Sequence, residues 1–266
     1  METITDSAVI IYQMGKVGST TIHQSLENVG LLLPIYKVHF LSDEGIKHGE
    51  EFHQKTLKKP WESTPHIQTS HFLRQKIRSD EPIQWKIITL VREPISREIS
   101  EFFQYLPSLY PELLDADGNL EKSRALRVLQ TKFMFYKPET NYTCRWFDME
   151  MKGMFGLDVY AYPFDTEAGY TIIRQDNVDL LILRLEDLDK TFNRAINEFL
   201  EVETPIEMIK SNLRAEQKRG SLYQQIDQDF TIRPALCQKI YSSQYATHFY
   251  AAAEIAQFIQ KWSREA

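Results

Sequence analysis

Cysteine is nearly absent: two of 266 residues, Cys144 and Cys237. They form neither a metal-ligand spacing nor a disulfide framework, so a reducing compartment, the cytosol, is expected. No run reaches the ~18 consecutive apolar residues of a membrane-spanning helix. The N-terminal METITDS places acids and hydroxyls where a secretory signal needs basic residues. A net charge of −6 offers no general basic surplus for nucleic acid. No Pro/Gly/Ser linker and no internal repeat divides the chain, so one domain spanning residues 1–266 is expected. A chain of this length buries roughly three quarters of the surface its unfolded form exposes and needs no covalent staples.

What is present alternates between short apolar runs and helical periods. SAVIIY (7–12), a run inside LLLPIYKVHF (31–40), HIQTSHFL (66–73) up to His71, IQWKIITLV (83–91) and DLLILRL (179–185) read as strands. Helical spacing follows in Thr20–Asn28, after Pro94, in EKSRALRVLQTKF, in EDLDKTFNRAINEFL and from Arg233 to Trp262. The stretch 142–170 reads as irregular. Continuous apolar strands between helices predict an α/β fold: three layers, with a central, mainly parallel sheet flanked by helices. Such sheets bind ligands beyond the carboxyl ends of their strands.

Two segments at predicted strand ends carry chemistry. QMGKVGSTT (13–21) follows the first strand and enters a helix. Gly15 and Gly18 permit close backbone approach; the helix N-terminus, loop amides and the hydroxyls of Ser19, Thr20 and Thr21 favour an anion. Lys16 stands before the last glycine, whereas in the common nucleotide loop lysine follows it. The second segment, LVREPISREIS, sets Arg92 at a strand end and Ser100 two helical turns later, spaced to grip a phosphate.

Together these segments resemble the sulfotransferases that use 3′-phosphoadenosine 5′-phosphosulfate. There, a strand–loop–helix of the PKxGST type holds the 5′-phosphosulfate, and an R-x7-S segment holds the 3′-phosphate. The resemblance implies cofactor contacts from Gly15, Lys16, Val17, Gly18, Ser19, Thr20, Thr21, Arg92 and Ser100. Lys16 would act on the bridging oxygen. EQKRGS (216–221) resembles the basic segment that closes over the 3′-phosphate, adding Lys218, Arg219 and Gly220. HIQTSHFL resembles the KTH segment, which implies His71 as general base; His39, also at a strand end, is its competitor. In LILRLEDL, Leu185 stands where the family's adenine-contacting tyrosine would be. RWFDMEMKGMFGLDVYAYPFD and HFYAAAEIAQFIQKW further resemble a bacterial group of capsular polysaccharide synthesis proteins.

The expected activity is therefore sulfuryl transfer to a hydroxyl of a carbohydrate, glycolipid or small molecule, without a metal. His39, Trp146 and Asp148 are candidates for acceptor binding, with Phe147, Tyr160, Tyr162 and Phe164 as further aromatic candidates; a patch of aromatics is more often core. The rival readings are a nucleotide kinase or ATPase, which would want lysine after the last glycine, and a catalytically silent binding protein of the same fold.

Overall fold

The computed structural model describes residues 4, 6–58, 67–79, 81–116, 118–202, 204–209 and 220–263. Along the chain run β1 (Ser7–Tyr12), α1 (Ser19–Glu27), β2 (Ile35–Val38), α2 (Asp43–Glu51), α3 (Ile67–Ile77) and β3 (Gln84–Val91). Then come α4 (Pro94–Leu109), α5 (Lys122–Met134), α6 (Tyr142–Trp146) and α7 (Gly153–Phe155). β4 (Tyr170–Gln175), β5 (Val178–Arg184) and α8 (Leu188–Leu200) follow, and α9 (Gly220–Asp229), α10 (Pro234–Tyr241), α11 (Gln244–Phe249) and α12 (Ala252–Trp262) end the chain. Two compact units result: Met1–Arg92 with Trp146–Ser211, and Glu93–Arg145 with Asn212–Ala266.

The first unit holds a five-stranded sheet in the order β2-β1-β3-β5-β4. The first four of these strands are parallel, and only β4 runs antiparallel, beside β5. The central strands are buried along nearly their whole length, and Ala8 through Tyr12 and Ile87 through Val91 are all core, as a sheet covered on both faces requires. The architecture is α/β, with a mainly parallel sheet flanked by helices.

Two segments assigned from sequence differ in the structure. Within HIQTSHFL, residues 67–73 are helix and not strand: Ile67, Ser70 and Leu73 are the buried face of α3. Their spacing of three is helical, and the polar residues between them hid the period. The 142–170 stretch is also more regular than expected, holding α6, a widened helical continuation over Phe147–Lys152, α7 and the start of β4.

The second unit is helical. Its core joins α4, α5, α9, α10 and α12 through residues such as Phe102, Phe133, Ile226, Phe230, Ile240 and Trp262. Glu93 caps α4 by accepting from the main-chain N–H groups of Ile95 (2.7 Å) and Ser96 (2.8 Å), with Pro94 in the first turn where its missing N–H costs nothing. The Tyr241 hydroxyl donates to the same carboxylate.

Beyond this cap lies a buried charge network. Glu98 pairs with Arg97 at 2.8 Å and Lys132 at 2.6 Å; Arg97 and Lys132 both also reach Glu101. Burial pushes the Glu98 pKa up, but Lys132 and Arg97 outweigh it and hold the carboxylate down at about 2. Its contribution is therefore present above the ordinary carboxylate range and lost as pH falls toward 2. Removing one member leaves buried charge uncompensated, which typically costs ~3–5 kcal/mol. Glu98→Leu is expected to destabilise the protein by that order in urea denaturation. Adding Lys132→Met should cost less than the sum of the two single changes.

Candidate functional site

The strand order reverses between β1 and β3. From β1 the chain moves outward to β2; after β3 it re-enters the sheet on the other side, at the edge strand β4, and turns back into β5 beside β3. Loops leaving adjacent strands in opposite directions open a crevice at their carboxyl ends, the usual ligand position in such sheets. Gln13–Gly18 leaves β1 there, and Arg92 follows β3.

The loop has a specific backbone. Lys16 adopts φ +71° and Gly18 φ +97°, the left-handed region that a side chain makes costly. Such strain concentrates where a fixed geometry serves a ligand. The turn at Lys16 is tied down by Arg92, whose Nη1 donates to the Lys16 carbonyl at 3.1 Å. The two segments singled out in the sequence thus meet. Val17 is buried, anchoring the loop beneath its polar residues. Gly18 caps α1 without any side-chain hydrogen bond, and Ser19 and Thr20, half-buried, form the first helical turn; Thr21 is buried. A β-carbon on Gly18 would stand 2.8 Å from Leu185 Cδ1, so Leu185 packs directly beside the loop, whereas one on Gly15 would meet nothing within 4 Å.

Sequence reading missed Lys37. On β2, its Nζ donates to Thr20 Oγ1 at 3.3 Å, and burial pushes its pKa down. His39, two residues on, places Nδ1 2.8 Å from the Gln13 carbonyl. Lys-x-His at a strand end was the available signal, because alternate residues of a strand share a face. A carbonyl only accepts, so Nδ1 carries a proton; in the neutral ring the lone pair is then on Nε2.

The other candidates are placed differently. His71 lies exposed in the middle of α3, not at a strand's carboxyl end. Ser100 is buried on α4 in the second unit, and Gly220 opens α9 in the same unit; Lys218 and Arg219 lie outside the described residues. Trp146 and Phe147 are fully buried, the former edge-on to Tyr12 with ring centroids 5.1 Å apart, so neither ring presents a face to a sugar. Asp148 is exposed. Among the described residues, no group of three His, Cys, Asp or Glu side chains stands together as metal ligands. No helix among them is long and apolar enough to cross a membrane.

Behind the loop sits Glu150, fully buried. Its Oε2 accepts from the main-chain N–H groups of Leu41 and Ser42, each at 2.9 Å, and from the Tyr12 hydroxyl. Burial raises its pKa to about 7, although those hydrogen bonds pull the other way.

Two predictions follow from this geometry. Gly18→Ala should destabilise by ~1–2 kcal/mol from backbone strain alone, plus the clash with Leu185, while Gly15→Ala should leave the denaturation midpoint nearly unchanged. For Glu150, the folded state binds the proton more tightly than the unfolded state between about 4.5 and about 7. Its stabilising share is therefore complete below that window and lost as pH rises through it. Relative to Glu150→Gln, wild-type stability should fall by up to ~3 kcal/mol across the window, read by denaturant titration at stepped pH.

No curated protein and no solved structure is detectably similar to the chain. The profile of the NKWYS family, described as "Putative capsular polysaccharide synthesis protein", matches residues 117–251. That match covers half of the chain, and the protein belongs to this family.

Proposed function

We propose that the protein is a sulfotransferase that takes its sulfuryl group from 3′-phosphoadenosine 5′-phosphosulfate and delivers it to a hydroxyl of a carbohydrate or glycolipid. The observation that carries this reading is the contact between the Arg92 guanidinium and the Lys16 carbonyl at the sheet's switch point. It gathers a lysine loop, an uncapped helix N-terminus and an arginine in one crevice, a set suited to a ligand with two anionic ends. The family's link to capsular polysaccharide favours a sugar acceptor.

When bound, the donor supplies a sulfuryl group whose sulfur bonds to the acceptor oxygen as its bond to the 5′-phosphate oxygen breaks. We place the general base on His39 rather than His71. Lys37-Val38-His39 keeps the Lys-x-His order of the KTH segment, and its imidazole is held beside the loop with Nε2 as the basic nitrogen. Nε2 takes the acceptor proton, which typically contributes ~10²- to 10⁴-fold. Lys16 lies where charge builds on the phosphate oxygen, and Lys37, beside Thr20, adds a second cation; amides of the first turn of α1 bind the sulfuryl oxygens. Arg92 holds the loop through the Lys16 carbonyl and is proposed, as a guanidinium, to bind the 3′-phosphate; Ser100, Lys218, Arg219 and Gly220 remain proposed partners of that phosphate. The rival kinase reading is disfavoured because Ser19, not lysine, follows Gly18.

Calorimetry should show adenosine 3′,5′-bisphosphate binding in preference to ADP, with Arg92→Ala weakening it; a preference for ADP would point to a kinase. Labelled sulfate should pass to members of a glycan panel. His39→Ala should abolish transfer while bisphosphate affinity persists. Transfer that survives in His39→Ala but disappears in His71→Ala would return the base to His71, and tight bisphosphate binding without transfer to any acceptor would mark a silent binding protein.

A further inference from the structure

We propose that Glu150 is a positioning residue for His39, fixing the aim and tautomer of its imidazole by pinning to one carboxylate oxygen the two chain segments that set it. The catalytic part of this inference rests on the reading of His39 as the base.

The imidazole is set from two sides. Its Nδ1 partner is the Gln13 carbonyl, and Gln13 directly follows Tyr12, whose hydroxyl donates to Glu150. Its own backbone leaves β2 through Leu41 and Ser42, whose N–H groups donate to the same Oε2 at 2.9 Å. One atom therefore ties the end of β1 to the exit of β2. Other groups complete the clamp. Arg74 of α3 donates to the Leu41 carbonyl at 2.6 Å and pairs with Asp43. Ser42 caps α2 by accepting from the Gly45 N–H at 2.8 Å. Gly45 has no β-carbon where Glu150 Oε1 lies; a methyl there would overlap that oxygen.

Packing alone does not account for an acid at this place. An apolar side chain would fill the volume without the cost of burying a carboxyl group. What an apolar residue cannot do is accept from two turn amides that would otherwise be buried and unpaired. The segment that needs this acceptor is the one immediately after His39.

The test compares Glu150→Leu, which removes the acceptor, with Glu150→Gln, which keeps an acceptor oxygen, and with Tyr12→Phe, which removes one donor. The His39 ring nitrogens are observed by ¹⁵N NMR, assigned with His39→Gln. Wild type and Glu150→Gln should show the tautomer protonated at Nδ1. Glu150→Leu should show a mixed population, and Tyr12→Phe a smaller shift in the same direction. In transfer assays Glu150→Leu should lower kcat by up to about 10²-fold, with affinity for adenosine 3′,5′-bisphosphate unchanged and activity recovered in Glu150→Gln. If Glu150→Leu does not fold, Tyr12→Phe decides. An unchanged His39 tautomer in the folded variants would overturn the proposal. If wild type transfers no sulfate but the tautomer still responds to position 150, the functional reading fails while the positioning role stands.

Discussion

The hydrogen bond from Arg92 to the Lys16 carbonyl holds together what the sheet only brings near. β1 and β3 are neighbours by pairing, but a loop containing a lysine in left-handed conformation has an intrinsic cost and will not keep its shape unaided. A guanidinium at the end of the next strand supplies the fixed donor. Leu185, from the turn after β5, packs against Gly18 from another side. Three consecutive strands of the sheet, β1, β3 and β5, thus each contribute to one backbone conformation, and the proposed binding of an anion by the loop depends on it.

The two compact units solve burial differently. In the first, strands supply an apolar interior, and the exceptional buried acid, Glu150, is stabilised by hydrogen-bond donors and held near neutrality in pKa. In the second, helices enclose charges of both signs, and Glu98 stays ionised because Arg97 and Lys132 stand beside it. Two carboxylates at similar depth are shifted in opposite directions: at Glu150 burial outweighs the amides and the phenol that donate to it, whereas at Glu98 two cations outweigh burial.

Much of the sheet could be read from sequence because its central strands are short, β-branched and bounded by glycine or Arg-Glu-Pro. The loop and Arg92 were legible for the same reason: each directly follows such a strand. α3 was misread because its buried face carries Ser70 between two aliphatic residues, so polarity masked the period. β4 was missed although Asp176-Asn177 between YTIIRQ and VDLLILR is a tight-turn signal, and Asp176 does take φ +51°. Lys37 and His39 gain their meaning only from the pairing of β2 with β1, which sets Lys37 opposite Ile11. Glu150 was invisible because its partners are main-chain amides more than a hundred residues away, and amides leave no mark on composition.

The empty place on Gly45 has an evolutionary consequence. Because an acidic oxygen fills the space a methyl group would need, positions 45 and 150 are not independent letters of the sequence. Any descendant that trades the acid for a shorter residue frees the glycine to vary, while any that enlarges the glycine first must lose the acid's seat. Substitution at this corner of the molecule is therefore ordered in time, and the two positions are expected to drift as a pair.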